Sequence, residues 1–510
     1  MRILIVTHGF PPKEVTGTEQ HSYILTRELS KRHEIHVFTR DKGTHYSEYE
    51  ENIKGIHVNR IETPIGWSSR PLFENTYIDD RVALSFSKFI EDIKPQVIHV
   101  QHCVGLGMSI IEVAIQRNIP VLLFLHDFYF MCHRLHLLKP DGQICHSPKN
   151  ENYCIDCIST AYPSLTVDEI RRLGKERYGY VDNLLSKIDY IVAPSQFVKK
   201  KFQSTYLGIS NIIVSPLGMD LSFKNSFNKK YDEKFRFGYI GGIYRHKGIE
   251  LLINAFKSLN KKNIELRIHG DGDPVYINEL EEISDENVRF FGAYTYDKLA
   301  KVLSEIDVLA LPSLCHESYS FTIREALAVG IPVIVSDIEA QSEAITEKHN
   351  GLCFKSGDRE DLEKKMQYIL ENRLLYQKMS ENAKKTHIVS ISKQTEDLER
   401  LYEIIMSKSI GKRTPLSSVF PTGRPLSNTL SYIRALEKSK KDLQAAKQDL
   451  EIRLEIAKSC KKELVLIKSS LSYKFIRMCG SIIDRLFPEG TRRGEMKSRF
   501  IRRLQNITKE

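Results

Sequence analysis

The sequence contains no apolar run approaching the roughly 18 uninterrupted residues that a spanning helix needs. Its nearest stretch, Val121–Leu125, is closed by His126 and Asp127. A transmembrane anchor is therefore not expected. The N-terminus also lacks the basic flank, longer apolar stretch and small-residue cleavage site of a secretory leader; a short strand-like run, Ile3–Val6, follows almost at once. The expected location is cytoplasmic. Cysteine is sparse and odd in number, nine in 510 residues, which points away from a disulfide framework and toward reduced thiols or a metal site. No Gly-x-Gly-x-x-Gly follows the first strand, where Thr7–Pro12 reads THGFPP, and this argues against a dinucleotide-dependent oxidoreductase. Neither the apolar fraction (41%) nor the charged fraction (27%) departs from that of ordinary soluble domains, so a wholly disordered or fibrous chain is excluded.

Positive charge is present but unevenly placed. The net charge is +10, and the segment Lys468–Glu510 alone carries eleven Lys or Arg against four Asp or Glu, a surplus of seven. Charge gathered at one end suggests an anionic surface bound by the tail, with a membrane at least as good a candidate as nucleic acid. No nucleic-acid partner is expected.

By the soft rule of about 150 residues per domain, the chain holds about three units. From Met1 to Leu217, short β-branched runs alternate with amphipathic helix-length segments: RILIVT, helix Gln20–Lys31, EIHVFT, then Val97–Val100, Val121–Leu125 and YIVAP. A second series follows Pro216-Leu217-Gly218. Its strands are expected at Phe235–Ile240, Ile264–His269, Val288–Phe291, Val308–Leu311 and Pro332–Val335, with helices over Gly248–Leu259 and Asp297–Ser304. Two successive βα series predict an α/β fold of two Rossmann-like domains, residues 1–217 and 218–408, the last helix crossing back. Three prolines and two glycines between Gly411 and Pro425 read as a linker over 409–428. Beyond it, Leu436, Leu443, Leu450, Ala457, Leu464 and Leu471 recur every seven residues, predicting a coiled coil over 429–471 through which copies would associate; a single amphipathic helix is the alternative. Residues 472–510 read as a basic amphipathic tail. Its apolar positions Phe475, Ile476, Ile482, Ile483, Leu486 and Phe487 lie at helical spacings among cations.

The most informative stretch is Leu311–Asp337, LPSLCHESYSFTIREALAVGIPVIVSD. A strand ends at Leu311, a loop carries Glu317–Ser320, and a helix starts near Phe321 and bears Glu325 about one turn in. Ligands of doubly wound sheets bind beyond the carboxyl ends of strands, and amides at a helix N-terminus favour an anion such as a diphosphate. Two carboxylates beside such amides suit a sugar, its phosphates and a ribose. A capped helix with a solvated Glu325 is the plainer alternative.

Glu317 and Glu325, with seven residues between them and flanked by PS, EAL and GIPVIVSD, resemble the Glu-x7-Glu motif of the retaining, GT-B-fold glycosyltransferases of family four, also called group 1. The resemblance implies that Glu317 lies against the donor sugar, that Glu325 holds the nucleotide ribose, and that the amides of Ser320 and Phe321 bind diphosphate. Ser320 stands where many relatives have Gly, leaving the loop less free to adopt positive φ. GGIYRHKG (Gly241–Gly248) resembles the family segment whose Arg and Lys neutralise the diphosphate; Lys247 matches the Lys, Gly242 stands in the Arg position, and Arg245 is the candidate replacement. HGDGD, with Gly270, resembles the loop near the base. THGFPPKEVTGTE (Thr7–Glu19), with Gly17, resembles the post-strand loop that approaches phosphates and acceptor, and FLHDF places His126 where the family has a histidine facing the donor sugar. His102 is the weaker candidate and reads better as a buried, satisfied histidine.

The family's retaining reaction implies that the departing diphosphate deprotonates the acceptor, so the protein's work is electrostatic and positional. The implied donor is a UDP- or GDP-linked sugar, the acceptor a glycan or lipid-linked glycan, and the setting cell-surface polysaccharide or lipopolysaccharide assembly. No catalytic metal is expected. Cys132, Cys145, Cys154 and Cys157 lie in an insert, 131–158, that could be ordered by a structural zinc; free or redox-active thiols are the alternative. Competing readings are another GT-B-fold enzyme, such as an epimerase or phosphorylase, and a catalytically dead scaffold.

Overall fold

The computed structural model describes residues 1–14, 16–63, 72–146, 153–229 and 233–411, with Lys458 alone beyond them. The expected coiled coil over 429–471 and the tail over 472–510 otherwise lie outside the described residues. Both sheets belong to one compact unit, Met1–Ser417.

The first sheet has eight strands: β1 (Arg2–Thr7), β2 (Glu34–Lys42), β3 (Ser47–Ile53), β4 (Ile56–Thr63), β5 (Val97–Val100), β6 (Val121–Phe124), β7 (Tyr190–Ala193) and β8 (Ile212–Val214), in the order β3-β4-β2-β1-β5-β6-β7-β8. Its central strands are buried along nearly their whole length, as continuous β-branched runs such as RILIVT must be when helices cover both faces. Only β3 runs antiparallel, paired with β4. Neither strand was expected, because SEYEENI has no apolar alternation. A left-handed Lys54-Gly55 turn (φ 51° and 89°) joins them, and the acidic β3 closes the edge of the sheet.

The second sheet is wholly parallel: β9 (Phe235–Ile240), β10 (Ile264–His269), β11 (Val288–Phe290), β12 (Val308–Leu311), β13 (Val333–Ser336) and β14 (Gly351–Phe354), ordered β11-β10-β9-β12-β13-β14. The strand order reverses between β9 and β12, as it does between β1 and β5 in the first sheet. Connections leaving the two strands diverge to opposite faces there and open a crevice at the carboxyl ends. One apolar core surrounds the second sheet, and two cover the faces of the first.

The lobes are joined twice. After β8 the chain crosses at Ser215–Met219, and it returns at Val389–Ile391; Met219 N donates to the Val389 carbonyl (3.0 Å) and Ile391 N to the Met219 carbonyl (2.9 Å). The helix Ile391–Gly411 then buries Leu398, Leu401, Tyr402 and Ile405 against Ile3, Ile5, Leu25 and Phe124 of the first lobe. Burial of each such side chain contributes about 1.5–3 kcal/mol. Glu399, on the same helix, takes Arg32 Nε and His33 Nε2, both at 2.7 Å. The helix runs three residues past Lys408, to Gly411, so the first residues assigned to the linker are helical.

Candidate functional site

At the switch point of the second sheet, the loop after β9 and the loop after β12 touch. Gly248 lies in the left-handed region (φ 71°), where an added Cβ would come within 2.0 Å of the Pro312 carbonyl oxygen, and Leu314 N donates to the His246 carbonyl (2.8 Å). Only glycine allows so close an approach. The consequence is an ion pair: Lys247 Nζ lies 2.6 Å from Glu317 Oε1. Ser313 Oγ also donates to Glu317 Oε1 (3.0 Å), and Gln341 Nε2 holds Ser313 Oγ at 3.1 Å. Burial pushes the Glu317 carboxyl up, but Lys247 and Ser313 outweigh it and hold it below the ordinary range; the Lys247 ammonium is raised in turn, Glu317 overcoming its own burial. Gly241 and Gly270 meet behind this pair, where a Cβ on Gly270 would stand 1.8 Å from the Gly241 carbonyl oxygen.

The helix Phe321–Ala328 is capped by Ser320, whose Oγ accepts from Ile323 N. Ser320 sits at φ −107°, a conformation open to any residue, so its replacement of glycine imposes no strain. Glu325 is 7% exposed, which overturns the alternative of a solvated side chain. Burial alone pushes its carboxyl up to about 7. Tyr294 and Tyr296 stand close enough to feel its charge. Among the described residues no cation compensates it, so its lone pairs are left without a charged partner in a buried setting.

Arg245 is placed elsewhere. Its guanidinium grips Glu279 (Nη2–Oε1 2.7 Å) and lies over the Tyr276 ring, 4.6 Å from the centroid, so its donors are turned toward the helix Pro274–Glu282 rather than toward Lys247. A carboxylate within reach satisfies the planar fork, and the sequence carries no sign of which partner an exposed loop arginine will take.

The first lobe supplies the facing wall. The Ser318 hydroxyl donates to the His126 carbonyl, and Tyr319 Oη to that of Leu217 (3.0 Å), so the Glu317 loop abuts the end of β6 and the hinge. Gly17, first residue of the helix Gly17–Leu29, lies against Phe321; a Cβ there would be 3.5 Å from its ring. His126 is buried, its Nε2 2.6 Å from Gln101 Oε1, and burial together with neighbouring histidines holds its pKa well below the usual value. His102 lies 3.1 Å from Asp127 Oδ2 and accepts from Val104 N (3.3 Å).

Three residues of this wall escaped the sequence reading. Glu19, 2% exposed, takes His8 Nε2 (2.9 Å) and Thr16 N (3.2 Å); burial pushes its carboxyl up, but these partners hold it down at about 2. The signal was present as the capping-box spacing Thr16-x-x-Glu19. His136, from the cysteine-bearing insert, stacks on His246 at 5.1 Å and feels the charges of Lys247 and Glu317. Nothing in its sequence context marks it. The loop after β1 is anchored from below by the fully buried Arg60, which donates to the carbonyls of Phe10 (3.0 Å) and Pro11 (3.1 Å).

The four cysteines gather in one place, where Cys132 and Cys145 help raise the thiols of Cys154 and Cys157. Burial is the larger cause and pushes Cys154 up to about 12 and Cys157 up to about 11. Among the described residues, however, no three His, Cys, Asp or Glu side chains are set out to hold a metal ion. Cys132, Cys145, Cys154 and Cys157 are free cysteines, and burial raises the thiols of Cys132, Cys154 and Cys157.

Two Rossmann-like sheets, facing at their switch points and tied by a returning helix, make up the GT-B architecture. Residues 15–223 match the model of Glycosyltransferase Family 4 and residues 222–386 that of Glycosyl transferases group 1, so the consecutive matches span well over half of the chain. The chain belongs to this family of retaining glycosyltransferases. It is 28% identical over 366 residues (69% of this chain, 84% of the relative) to an uncharacterized glycosyltransferase of Methanocaldococcus jannaschii. A capsular polysaccharide biosynthesis glycosyltransferase of Staphylococcus aureus is 24% identical over 246 residues (44% of this chain, 63% of the relative). Among solved structures, Anabaena HepE in complex with UDP superposes with a TM-score of 0.58 at 15% identity, covering 79% of this chain and all of that one, a likeness of fold.

Proposed function

We propose that the protein transfers a sugar, with retention, from a UDP-linked donor to a glycan or lipid-linked acceptor in the assembly of a cell-surface polysaccharide. The observation that carries this reading is the Lys247–Glu317 pair at the switch point, with Glu325, which has no partner among the described residues, beside it on the helix that follows. Lys247 and the amides of Ser320 and Phe321 receive the diphosphate, where a cation and a helix N-terminus both favour negative charge. Glu325 accepts two ribose hydroxyls. Glu317, freed from Lys247 as phosphate replaces it, lies along the sugar, and His126 faces the sugar from the other lobe. The departing diphosphate takes the acceptor's proton, while Lys247 stabilises the charge that develops on it. The UDP complex of HepE supports uracil as the base, and the capsular relative supports the acceptor class.

The wider assignment rests on sequence. The coiled coil over 429–471 pairs copies of the chain, and the basic tail brings the enzyme to an anionic membrane face. The deciding experiment is a donor panel read by nucleotide release from the full-length protein. Release from a UDP-sugar, lost in Lys247→Ala and Glu325→Ala, is expected; no release from any nucleotide sugar would sink the reading.

A further inference from the structure

The loop after β9 carries more than Lys247. The Tyr244 ring folds back over Gly242, where an added Cβ would lie 2.9 Å from Tyr244 Cε2, and runs parallel to the ring of His246 (3° between planes, centroids 5.7 Å apart). His246 in turn stacks on His136 at 24° and 5.1 Å. Three rings thus form a column that starts beside Lys247 on the second lobe and ends on the insert of the first. An unusual backbone sets His136 there. Its neighbours Leu135 (φ 69°) and Leu137 (φ 52°) both occupy the left-handed region, which bulky residues rarely adopt. Phe128 N donates to the Leu135 carbonyl (3.2 Å) and Cys145 N to that of Leu137 (2.7 Å), and the Leu137 side chain is fully buried, so the packed insert holds the strained turn in place. Strain maintained in this way gathers where a side chain has to be aimed. The His136 ring is open to solvent in the crevice, and among the described residues neither of its nitrogens has a hydrogen-bond partner.

We infer that His136 is a second cation for the donor diphosphate, protonated as the anion arrives, so that Lys247 grips the leaving group from one lobe and the insert grips it from the other. The identity of the anion rests on the function proposed above. Lys247 is a single ammonium already engaged by Glu317 at 2.6 Å, and a diphosphate carries more negative charge than one ammonium offsets, the more so as it departs. The nearby arginines are engaged elsewhere: Arg245 by Glu279 (2.7 Å), Arg324 by the Ser320 carbonyl (2.9 Å) and the face of Tyr319 (3.5 Å to the centroid). An imidazole with both nitrogens free donates to phosphate oxygens once it is charged. Enclosure between the crevice walls holds the His136 pKa below the usual value; Lys247 and Arg134 act in the same sense, while Asp127 at the end of β6 and Glu317 oppose them. His246, the ring stacked on it, is held down at about 4 by burial and Lys247 and stays neutral. In the free protein His136 is therefore neutral at about pH 7.5, and a bound diphosphate raises its pKa. Binding then takes up a proton, and affinity falls as pH rises between the free and bound values.

Calorimetric titration of the full-length protein with inorganic pyrophosphate and with UDP, at about pH 7.5 in two buffers of unequal protonation enthalpy, provides the test. His136→Phe keeps a flat ring for the stack and removes both nitrogens, whereas His136→Arg keeps a cation that does not titrate. Wild type should take up more protons on binding than His136→Phe, the ligand's own ionisation being common to both. It should also bind pyrophosphate and UDP about tenfold more tightly, the worth of one charge-assisted hydrogen bond. His136→Arg should bind at least as tightly as wild type, with its proton uptake reduced to that of His136→Phe. Equal pyrophosphate affinity or equal proton uptake in wild type and His136→Phe would overturn the inference, as would a wild type that binds no pyrophosphate. Should His136→Phe fail to fold, undiminished uptake in His136→Arg overturns it instead. Pyrophosphate binding that depends on His136, in a protein that releases nucleotide from no donor, would refute the glycosyl-transfer reading and leave the anion contact standing. Nucleotide release by a protein whose pyrophosphate binding ignores His136 would do the reverse.

Discussion

Glu325→Gln should make the protein more stable and a poorer enzyme at the same time, and the stability gain should depend on pH. The Glu325 carboxyl is buried, and burial raises its pKa from 4.5 to about 7. A carboxyl with a higher pKa in the folded state binds its proton more tightly when folded, so the native state bears no penalty below about pH 4.5 and the full penalty above about pH 7. At about 1.4 kcal/mol per unit, ionisation of Glu325 costs the fold about 3 kcal/mol at pH 8. The amide removes the charge while keeping the shape. Melts in urea should therefore show Glu325→Gln more stable than wild type by up to about 3 kcal/mol at pH 8, with the difference vanishing near pH 4.5. Donor KM should rise in the same variant, because an amide accepts fewer hydrogen bonds from a ribose diol than a carboxylate does. Saturating UDP-sugar should narrow the stability difference, since ligand bound to the wild type repays the desolvation. Equal stability of the two proteins at pH 8 would refute the account of an unpaired buried carboxylate.

Lys247→Ala removes the cation at the switch point and should lower kcat by about 10²–10³, the range of a lost charge stabiliser, in nucleotide-release assays; a fall below tenfold would exclude it from the leaving-group site. Arg245→Ala should leave kcat and donor KM within about twofold, because its guanidinium is turned to Glu279 on an exposed face, and a large loss would show that it swings to the phosphates. Native protein should react with a thiol reagent slowly at Cys132, Cys154 and Cys157, whose pKa values are raised, and quickly only after denaturation; fast native reaction would contradict their burial as neutral thiols. A chain ending at Gly411 should keep nucleotide release yet no longer sediment with anionic liposomes, and equal sedimentation of the two chains would remove the tail from consideration as the anchor.

Much of the core was legible because buried parallel strands are written as short β-branched runs: β1, β5, β6, β9, β10 and β12 all fall where such runs predict them. The strands that escaped are those whose stability is not local. The β3–β4 hairpin is held by pairing at the sheet edge, and β8 and β14 are short strands completed by their neighbours. The same division runs through the site. Glu317, Glu325 and Lys247 stand out because the carboxyl ends of strands and the N-termini of helices are local features. Glu19 was announced only as a helix cap, and His136 not at all, since its place beside Lys247 and Glu317 depends on how the insert folds across the crevice.

By itself the sequence determined the alternation of strands and helices, hence two doubly wound lobes, and the position of two acidic residues and a lysine at the ends of elements where ligands bind. Tertiary structure alone decided the rest. It set Lys247 against Glu317 across 70 residues of chain, turned Arg245 to Glu279, and buried Glu325 without a partner among the described residues. It also laid Gln394 on His21 across 373 residues and on the Gly218 N–H at the hinge. The physical reason is range: periodicity and capping act over one or two turns, whereas charge pairing, desolvation and hydrogen-bond relays depend on which distant groups the packed lobes bring within a few ångströms.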